Sequence, residues 1–538
     1  MSNPNQMNYP SIFNDVLGPV MRGPSSSHCA AALRIGRICL DLMDGKIESI
    51  EVRFDPHGSL ATTHESQGSD MGLFGGLLGW EAHDERLTNY REEIVKAGIE
   101  VDIQIVPLDY DHPNTYALTL KNYRETRTLT AISTGGGMIE IVEIDGAAVS
   151  MAGDYYETLT YVKKPEHVQA WIEANIKCDA VELHRGNHTY IEIKGQAFPE
   201  SNLLEELAAM EGVVCIRKIE PVLPVLSRKD LTVPFITCDE MLEYNSDKNL
   251  PLWQLGLHYE SARGNISHEE AIEKMRYIVS IMRKAIDTGL KGTEFGDRIL
   301  GSQSPGFRKK MEDKTLIHGD VLNRIISSVS AIMEVKSSMG VIVAAPTAGS
   351  CGAMPGAVLG AVEALNLSDE EAIRAMFTAG LIGVFVAAHA TFAAEVGGCQ
   401  AECGSGAGMS AAALVEMAGG GLSQSISAAS MALQNSFGMV CDPIANRVEA
   451  PCLGKNVLAA SNALSCANMA LANYDHLIPL DEVIEAMDKV GKSIPNDLRC
   501  TALGGLSITK TSKEIEARLN AGEKIPIEIG MVGRFKSC

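Results

Sequence analysis

The sequence predicts a multidomain protein with an α+β N-terminal domain, a small α+β module and a large all-α C-terminal domain. With 538 residues, the chain is too long for a single hydrophobic core. Strand and helix patterns alternate over 1–160 and again over 165–222, whereas strand patterns nearly vanish beyond residue 236. These observations place the predicted domains at 1–160, 165–222 and 236–538.

Apolar periodicity predicts the elements of the first domain. Alternation of apolar and polar residues marks strands, and apolar residues spaced by one helical turn mark helices. The predicted helices cover 27–42 and 71–79, and the predicted strands cover 50–54, 101–106, 128–133 and 139–144.

The stretch 165–222 repeats both patterns on a smaller scale. Its predicted helices cover 167–176 and 201–210, and its predicted strands cover 180–183, 189–193 and 213–219. This order is typical of a small ligand-sensing α+β module. The segment 221–234, which begins and ends with proline, is predicted to be a linker.

The C-terminal domain is predicted to consist of helices broken by glycine clusters. These clusters lie at 349–356, 397–408 and 419–421, and they favour a buried site that requires glycine. The apolar segment 375–394 is long enough to cross a membrane. Because it follows a capping box at 368–371, we interpret it as a buried core helix.

Composition and charge exclude several kinds of partner. The formal charge of −22 argues against nucleic acid, which requires a basic surface. The first residues lack the basic region and apolar core of a signal peptide, and thirteen cysteines then favour a reducing compartment. We expect a cytoplasmic protein without a membrane partner, and the large apolar helices favour a homodimer.

A serine-rich turn precedes the first predicted helix. Ser25, Ser26 and Ser27 follow Gly23-Pro24, and His28 stands one residue into the helix. One serine is enough to cap a helix. The three hydroxyls therefore favour a cradle for a carboxylate, in which free backbone N–H groups also take part.

Three cysteines lie in segments bent by glycine or proline. They are Cys399, Cys441 and Cys452. Three thiolates are one fewer than a closed four-iron cluster needs, and an open position distinguishes a catalytic metal centre from a structural one. Zinc is the alternative, but the pair Cys399 and Cys403 lacks a nearby His/Cys partner pair.

Nine short motifs follow one another along the chain. They are Gly-Pro-Ser-Ser-Ser-His (23–28), Gly-Ser-Leu-Ala (58–61), His-Pro-Asn-Thr (112–115), Gly-Gly-Gly-Met-Ile-Glu-Ile (135–141), Ala-Ala-Pro-Thr-Ala-Gly-Ser (344–350), Gly-Gly-Cys-Gln-Ala-Glu (397–402), Cys-Asp-Pro (441–443), Pro-Cys (451–452) and Gly-Gly-Leu (504–506). With these motifs the chain resembles the iron–sulfur-dependent L-serine ammonia-lyases (L-serine dehydratases). The resemblance covers nearly the whole length, with the β-type and α-type segments of that family fused in one polypeptide.

The resemblance implies a cofactor and a reaction. A [4Fe-4S] cluster is expected on Cys399, Cys441 and Cys452, with the fourth iron acting as a Lewis acid on the carboxylate and β-hydroxyl of the substrate. Removal of the α-proton and loss of the hydroxyl lead through an aminoacrylate to pyruvate and ammonia. The module at 165–222 resembles a degenerate version of the amino-acid-sensing ACT module of some members.

The resemblance also implies roles for single residues. The serines of the 25–28 turn are expected to bind the substrate carboxylate, with Asn114 and Thr347 as further polar contacts. Gln67 stands where many members have a histidine that is a candidate α-proton base, and glutamine cannot act as a base. We therefore expect His28 to be the base, with His64 as the alternative.

Other departures from the family leave the substrate open. Arg447 stands near the cluster where a small apolar residue is usual, and with Gln67 it is predicted to contact the substrate. Some members end in a cysteine that occupies the open iron, which makes Cys538 a candidate for that role.

The favoured function is deamination of the small amino acid L-serine, with L-threonine as a second substrate. The first alternative is a lyase for another β-hydroxy or β-thiol acid, such as a cysteine desulfidase or a dicarboxylate hydro-lyase. The second alternative is a non-enzymatic amino-acid sensor that uses the 165–222 module.

Overall fold

The computed structural model describes residues 9–110 and 112–522, so Cys538 lies outside the described residues. The described chain forms two compact units, one of residues 27–232 and one of residues 9–26 together with 233–522. The first unit is mixed α/β and the second is helical, which confirms the predicted multidomain organisation with a helical C-terminal region.

The N-terminal segment 9–26 belongs to the helical unit. It contains a π-helical turn at Ile12–Val16 and a short strand, β1 (Val20–Met21). Strand β1 pairs antiparallel with another two-residue strand far along the chain, so that Val20 lies opposite Val343.

The first unit contains a six-stranded sheet. Its strands are β2 (Ser49–Phe54), β3 (Glu100–Ile105), β4 (Thr115–Lys121), β5 (Thr126–Gly135), β6 (Met138–Ile144) and β7 (Ala147–Met151). The order is β3-β2-β4-β5-β6-β7, and only the β2–β3 pair is parallel. The helices are α1 (Ala31–Leu42), α2 (Leu60–Thr63), α3 (Ser69–Leu77) and α4 (Tyr90–Lys96).

The same unit continues into a four-stranded antiparallel sheet with two helices. These elements are β8 (Tyr156–Val162), α5 (Pro165–Asn175), β9 (Ala180–Arg185), β10 (Thr189–Gly195), α6 (Ser201–Ala209) and β11 (Val213–Ile219). The strand order β11-β8-β10-β9 makes this a split βαβ module. Its likeness to an ACT module stays a prediction.

The second unit is built almost entirely from helices. They are α7 (Cys238–Tyr244), α8 (Leu252–Gly264), α9 (His268–Lys291), α10 (Ser304–Glu312), α11 (Asp320–Ser337), α12 (Ala353–Leu365), α13 (Asp369–His389), α14 (Ala394–Gly397), α15 (Ser405–Met417), α16 (Leu422–Gln434), α17 (Cys452–Leu471), α18 (Leu480–Ser493) and α19 (Lys510–Asn520). The short strand β12 (Ile342–Val343) is the partner of β1.

Helix α13 lies in the core of the helical unit. Its start is the predicted capping box, because Ser368 Oγ accepts a hydrogen bond from Glu371 N–H and the Glu371 carboxylate accepts one from Ser368 N–H. The helix is long and apolar enough to span a membrane, yet most of its apolar window is buried inside the protein. This burial supports the interpretation as a core helix.

The N-terminal segment packs against α13 and α8. A side chain at Gly380 or Gly383 would clash with Ile12 or Val16, so glycine permits the close approach. The buried carboxylate of Glu260 accepts hydrogen bonds from Ser11 Oγ at 2.5 Å and from Ile12 N–H at 2.7 Å. These contacts hold residues 11–16 against the helical unit.

Candidate active site and metal centre

The three predicted cysteine ligands are buried in the helical unit. Cys399, Cys441 and Cys452 are 2%, 3% and 6% exposed. Cys399 immediately precedes a π-helical turn at Gln400–Gly404, whereas Cys452 is the first residue of α17. Each thiol therefore lies at a break between helices, where backbone N–H groups are not used by a helix.

Gln400 fastens the segment of Cys399 to the segment of Cys441. Its backbone N–H donates to Met439 O at 3.0 Å, and its side-chain oxygen accepts from Gly438 N–H at 2.8 Å. Its side-chain nitrogen donates to Met487 O at 2.6 Å in α18. One buried amide thus fixes the approach of the two cysteine segments.

A fourth cysteine, Cys500, lies beside Cys441. The N–H of Cys500 donates to Cys441 O at 3.0 Å, and the N–H of Cys441 donates to Leu498 O at 2.8 Å. Hydrogen bonds with the thiols of Cys399 and Cys500, together with burial, raise the pKa of Cys441 well above its usual value. Sequence reasoning missed Cys500, because no glycine or proline pattern at its position distinguished it from the other cysteines.

Lys455 is the cation next to the thiols. Its Nζ donates to Asp442 Oδ1 and to Val440 O at 2.6 Å each and lies 3.8 Å from Cys399 Sγ. Burial opposes its charge, but Cys399 and Asp442 raise the pKa of Lys455 overall. The other oxygen of Asp442 accepts from Leu506 N–H at 2.9 Å, so the Cys-Asp-Pro and Gly-Gly-Leu motifs are joined.

Asn456 ties α17 to the loop before α12. Its Nδ2 donates to Gly349 O at 2.8 Å and to Cys452 O at 2.9 Å. Its Oδ1 accepts from Ala353 N–H at 2.8 Å and from Gly352 N–H at 3.2 Å. Lys455 and Asn456 follow Cys452 by three and four residues, a spacing that places them one turn further along the helix.

The loop before α12 carries the predicted substrate residue Thr347. Its hydroxyl donates to Glu402 Oε1 at 2.5 Å. Burial raises the pKa of Glu402 to about 7, although the Thr347 hydrogen bond acts in the opposite direction. Glu402 lay inside a family motif, but sequence reasoning gave it no role.

Ser26 contacts the same loop. Its Oγ accepts a hydrogen bond from Ala348 N–H at 3.2 Å, and both Ser25 and Ser26 are buried. The structure therefore brings Ser26 next to Thr347, and Ser25 precedes it in the chain.

Lys336 is a buried lysine close to this loop. Its side chain is 1% exposed, and its Nζ has no hydrogen-bond partner among the described residues. It lies one turn beyond Met333 on α11, and Met333 Sδ is 3.8 Å from Cys351 Sγ in the loop. Its positive charge lowers the pKa of Glu402 and of Cys452, against the larger effect of burial.

The other predicted polar residues lie in the first unit. His28 Nε2 is 2.9 Å from Thr63 Oγ1, and the Thr63 hydroxyl donates to Ser59 O at 2.6 Å. The Ser59 hydroxyl donates to Asn114 Oδ1, so the 59–63 segment connects His28 with Asn114. The carbonyl of Ser27 accepts a hydrogen bond from another serine, Ser133, at 2.7 Å.

The two histidines of this unit have different electrostatic surroundings. Burial, and secondarily the charge of His64, lowers the pKa of His28 to about 4. His64 Nδ1 lies 2.8 Å from Asp70 Oδ1, and this hydrogen bond raises the pKa of His64. Gln67 is buried in the turn between His64 and Asp70, with its N–H bonded to Thr63 O at 2.8 Å.

Arg447 makes an ion pair with a partner that the sequence pattern did not indicate. Its Nε lies 3.1 Å from Asp297 Oδ1, and its Nη1 donates to Ala445 O at 3.1 Å. The exposed carboxylate of Asp297 therefore already pairs with the guanidinium that was predicted to contact the substrate.

The donor chemistry of the thiols bears on the metal they can hold. Cys399 and Cys441 are close enough for a thiol–thiol hydrogen bond. Cys399, Cys441 and Cys452 offer thiolates alone, and this all-thiol donor set fits an iron–sulfur cluster.

Two family models match the chain. The model described as "Serine dehydratase alpha chain" matches residues 247–507, and the one described as "Serine dehydratase beta chain" matches residues 15–143. The first match includes the three predicted cysteine ligands and Thr347, and the second includes His28 and Asn114.

Similar proteins carry the same description. The chain is 31% identical to L-serine dehydratase 1 of Escherichia coli (strain K12) over 498 residues, which cover 90% of this chain and 96% of that protein. It is 38% identical over 288 residues to the probable L-serine dehydratase alpha chain of Bacillus subtilis (strain 168), covering 54% of this chain and 96% of the relative. The probable beta chain of the same organism is 32% identical over 221 residues, or 99% of its length.

These matches define an enzyme of the lyase and deaminase class. The chain belongs to the serine dehydratase family, with the beta and alpha segments fused in one polypeptide.

Proposed function

We propose that the protein deaminates L-serine to pyruvate and ammonia with the help of a [4Fe-4S] cluster, and that L-threonine is a second substrate. The observation that carries this proposal is the burial of Cys399, Cys441 and Cys452 around Lys455 and Asn456. The names of the relatives that span 90% of this chain support serine as the substrate.

The three cysteines would hold the cluster through their thiolates. Thiol–thiol hydrogen bonds and burial raise the pKa of Cys441, and burial raises the pKa of Cys452, so iron has to displace protons from these groups. The positive charges of Lys455 and Lys336 partly offset the negative charge that the thiolates introduce. When bound, the cluster supplies a Lewis acid for a hydroxyl leaving group.

The chain's own residues would bind the substrate and move the proton. The hydroxyls of Ser25, Ser26 and Ser27 are proposed to bind the carboxylate. Polar contacts are proposed from other residues, namely Thr347, Asn114, Gln67 and Arg447. His28 is proposed as the base, because it directly follows the serines that are proposed to bind the carboxylate. Burial lowers its pKa to about 4, which leaves the imidazole neutral at pH 7 but also weakens it as a proton acceptor.

The decisive experiment is an assay of the anaerobically purified, iron-loaded protein. Release of 2-oxoacid is measured with L-serine, L-threonine, L-cysteine and hydroxy-dicarboxylic acids. We expect turnover of L-serine. The bound cluster should also give a broad absorption at about 400 nm. An iron-loaded protein that does not turn over L-serine would contradict the proposal.

Cysteine variants test the ligand set independently of turnover. We expect Cys399→Ser, Cys441→Ser and Cys452→Ser to lose most of the bound iron and the visible absorption. Cys466→Ala on α17 is the control, since this buried cysteine bonds with Asn435 and is not a proposed ligand. Equal iron content in all four variants would reject the ligand set.

Histidine variants test the base. General-base catalysis typically contributes about 10²–10⁴-fold, so His28→Ala should lower kcat by that factor while iron content stays constant. The exposed His57→Ala is the control. A larger loss of kcat in His64→Ala than in His28→Ala would transfer the role to the His64–Asp70 pair.

A further inference from the structure

One face of the four-stranded sheet carries an alternating set of titratable residues. Glu182 and His184 lie two residues apart on β9, and Glu192 and Lys194 lie two residues apart on β10, so each pair shares a face of the sheet. In the register, Glu192 lies opposite Glu182, and Lys194 lies opposite Glu157 of β8. The four residues and Glu157 are therefore neighbours on one surface.

The side chains of this face converge at metal-ligand distances. One ligand atom each from Glu182, His184 and Glu192 lies within 4.8 Å of the others, and His184 Nε2 is 2.8 Å from Glu192 Oε2. The other ring nitrogen, Nδ1, is 3.1 Å from Ala148 O and donates its proton to that carbonyl. Metal-binding histidines are usually oriented by such a bond, which directs the second nitrogen at the ion.

Glu157 is a buried residue whose carboxylate could bind a cation. Its side chain is 1% exposed, and neither carboxylate oxygen has a hydrogen-bond partner among the described residues. A buried carboxylate without a partner is strongly unfavourable.

The formal charge of the group matches one divalent cation. Lys194 is the cation already present, with Nζ 3.5 Å from Glu192 Oε1 and bonded to Ser150 O at 2.6 Å. Three carboxylates and this one ammonium leave a net charge of −2 once a metal ion has displaced the proton that His184 Nε2 donates to Glu192. One divalent ion would neutralise that charge.

We propose that Glu157, Glu182, His184 and Glu192 form a binding site for a divalent transition-metal cation. Carboxylate oxygens with one imidazole nitrogen suit Mn²⁺, Fe²⁺ or Zn²⁺ better than Mg²⁺, which favours an all-oxygen shell. Glu182 is exposed, whereas His184 and Glu192 are buried, so a cation can enter from the side of Glu182.

The cation would also fasten the module to the neighbouring sheet. His184 and Lys194 both bond to backbone carbonyls of β7, at Ala148 and Ser150. An ion held by His184 and the glutamates would stabilise these contacts. Binding should therefore raise the unfolding temperature of the module, because a ligand that binds only the folded state stabilises it.

The test is titration of the anaerobic holoenzyme with MnCl₂, followed by calorimetry and by electron paramagnetic resonance of the bound ion. We expect one Mn²⁺ per chain and a rise in the module's unfolding temperature. MgCl₂ should bind at least about 10-fold more weakly.

Variants of the glutamates test this site separately from the proposed cysteine ligands. Glu182→Gln, at an exposed position where folding is not at risk, should weaken Mn²⁺ binding by at least about 10-fold. Glu157→Gln should abolish the Mn²⁺-dependent rise while increasing the unfolding temperature without metal, because it removes a buried carboxylate. The exposed Glu173→Gln on α5 is the matched control and should bind like the wild type.

Two outcomes would overturn the proposal. One is a wild-type protein that binds no Mn²⁺ at this stoichiometry. The other is binding that is the same in Glu157→Gln, Glu182→Gln and the control. Neither outcome depends on serine turnover.

Discussion

At the residue scale, Asn456 connects the buried region around Cys399, Cys441 and Cys452, called the cysteine pocket below, with the loop of Thr347. It makes four hydrogen bonds of 2.8–3.2 Å to the backbone of Gly349, Gly352, Ala353 and Cys452. Each buried backbone group that loses its partner costs about 1–3 kcal/mol. A single amide therefore fixes both the cysteine at the start of α17 and the loop that carries the threonine.

Asn456→Asp tests this connection with almost no change in volume. The carboxylate can still accept from Gly352 and Ala353, but it cannot donate to Gly349 O or Cys452 O. We expect a loss of about 2–4 kcal/mol in stability and a lower iron content. Thermal unfolding and iron analysis measure both, with the exposed Asn468→Asp on the same helix as control. A variant as stable and iron-rich as this control would contradict the prediction.

Gly349 allows the carboxylate of Glu402 to lie against the loop. A Cβ at this position would come within 2.7 Å of Glu402 Oε1 and 2.9 Å of Oε2. Gly349→Ala should displace the carboxylate from Thr347 and lower kcat about 10-fold or more, because misplacement of about 1 Å can cost 10²-fold. Gly454→Ala on α17 meets nothing within 4 Å and is the control for steady-state kinetics. Equal kcat values in the two variants would refute the prediction.

The sequence predicted the cysteines of this pocket but not their neighbours. Glycine and proline beside Cys399, Cys441 and Cys452 are local signals that a single sequence contains. The roles of Glu402 and Lys336 depend on contacts between segments that lie far apart in the chain, which periodicity does not record. The pairing of Arg447 with Asp297 is likewise a contact between distant segments.

At the element scale, local patterns predicted most strands and helices to within a few residues. The strand predicted at 101–106 is β3 (Glu100–Ile105), and the helix predicted at 167–176 is α5 (Pro165–Asn175). Strands β4, β7 and β8 were not predicted from the sequence. The attachment of residues 9–26 to the helical unit depends on long-range contacts and left no local pattern.

Glu260 makes that attachment dependent on pH. Burial raises its pKa from 4.5 to about 7. Between these values the folded protein holds a proton that the unfolded chain has lost, so stability falls as pH rises. Well above pH 7, the free energy of unfolding is lower by about 3 kcal/mol than below pH 4.5.

Glu260→Gln removes this titration. Thermal unfolding between pH 4.5 and 8 should therefore show a flatter pH dependence than in the wild type. The exposed Glu269→Gln on α9 should keep the wild-type slope. Identical slopes in the two variants would show that Glu260 does not carry the effect.

At the scale of the whole molecule, the cysteine pocket joins segments that are distant in the sequence. Cys399, Cys441 and Cys452 come from three separate segments, and Asp442 binds the 504–506 motif. Hydrogen bonds thus connect the family motifs in the last third of the chain into one cluster of segments. The homodimer and the cytoplasmic location stay predictions.

Removal of iron should selectively increase local opening of these connected segments. A metal group that ties three segments together stabilises them against local opening, and its loss lowers the free energy of that opening. We expect hydrogen–deuterium exchange of the iron-depleted protein to rise at least about 10-fold in peptides covering 397–404, 438–455 and 498–507. Peptides from the 156–219 module, which contains none of the proposed cysteine ligands, serve as the internal control. A uniform rise across both sets would mean that the cysteine pocket is not where iron stabilises the protein, and unchanged exchange would mean that iron does not tie these segments together.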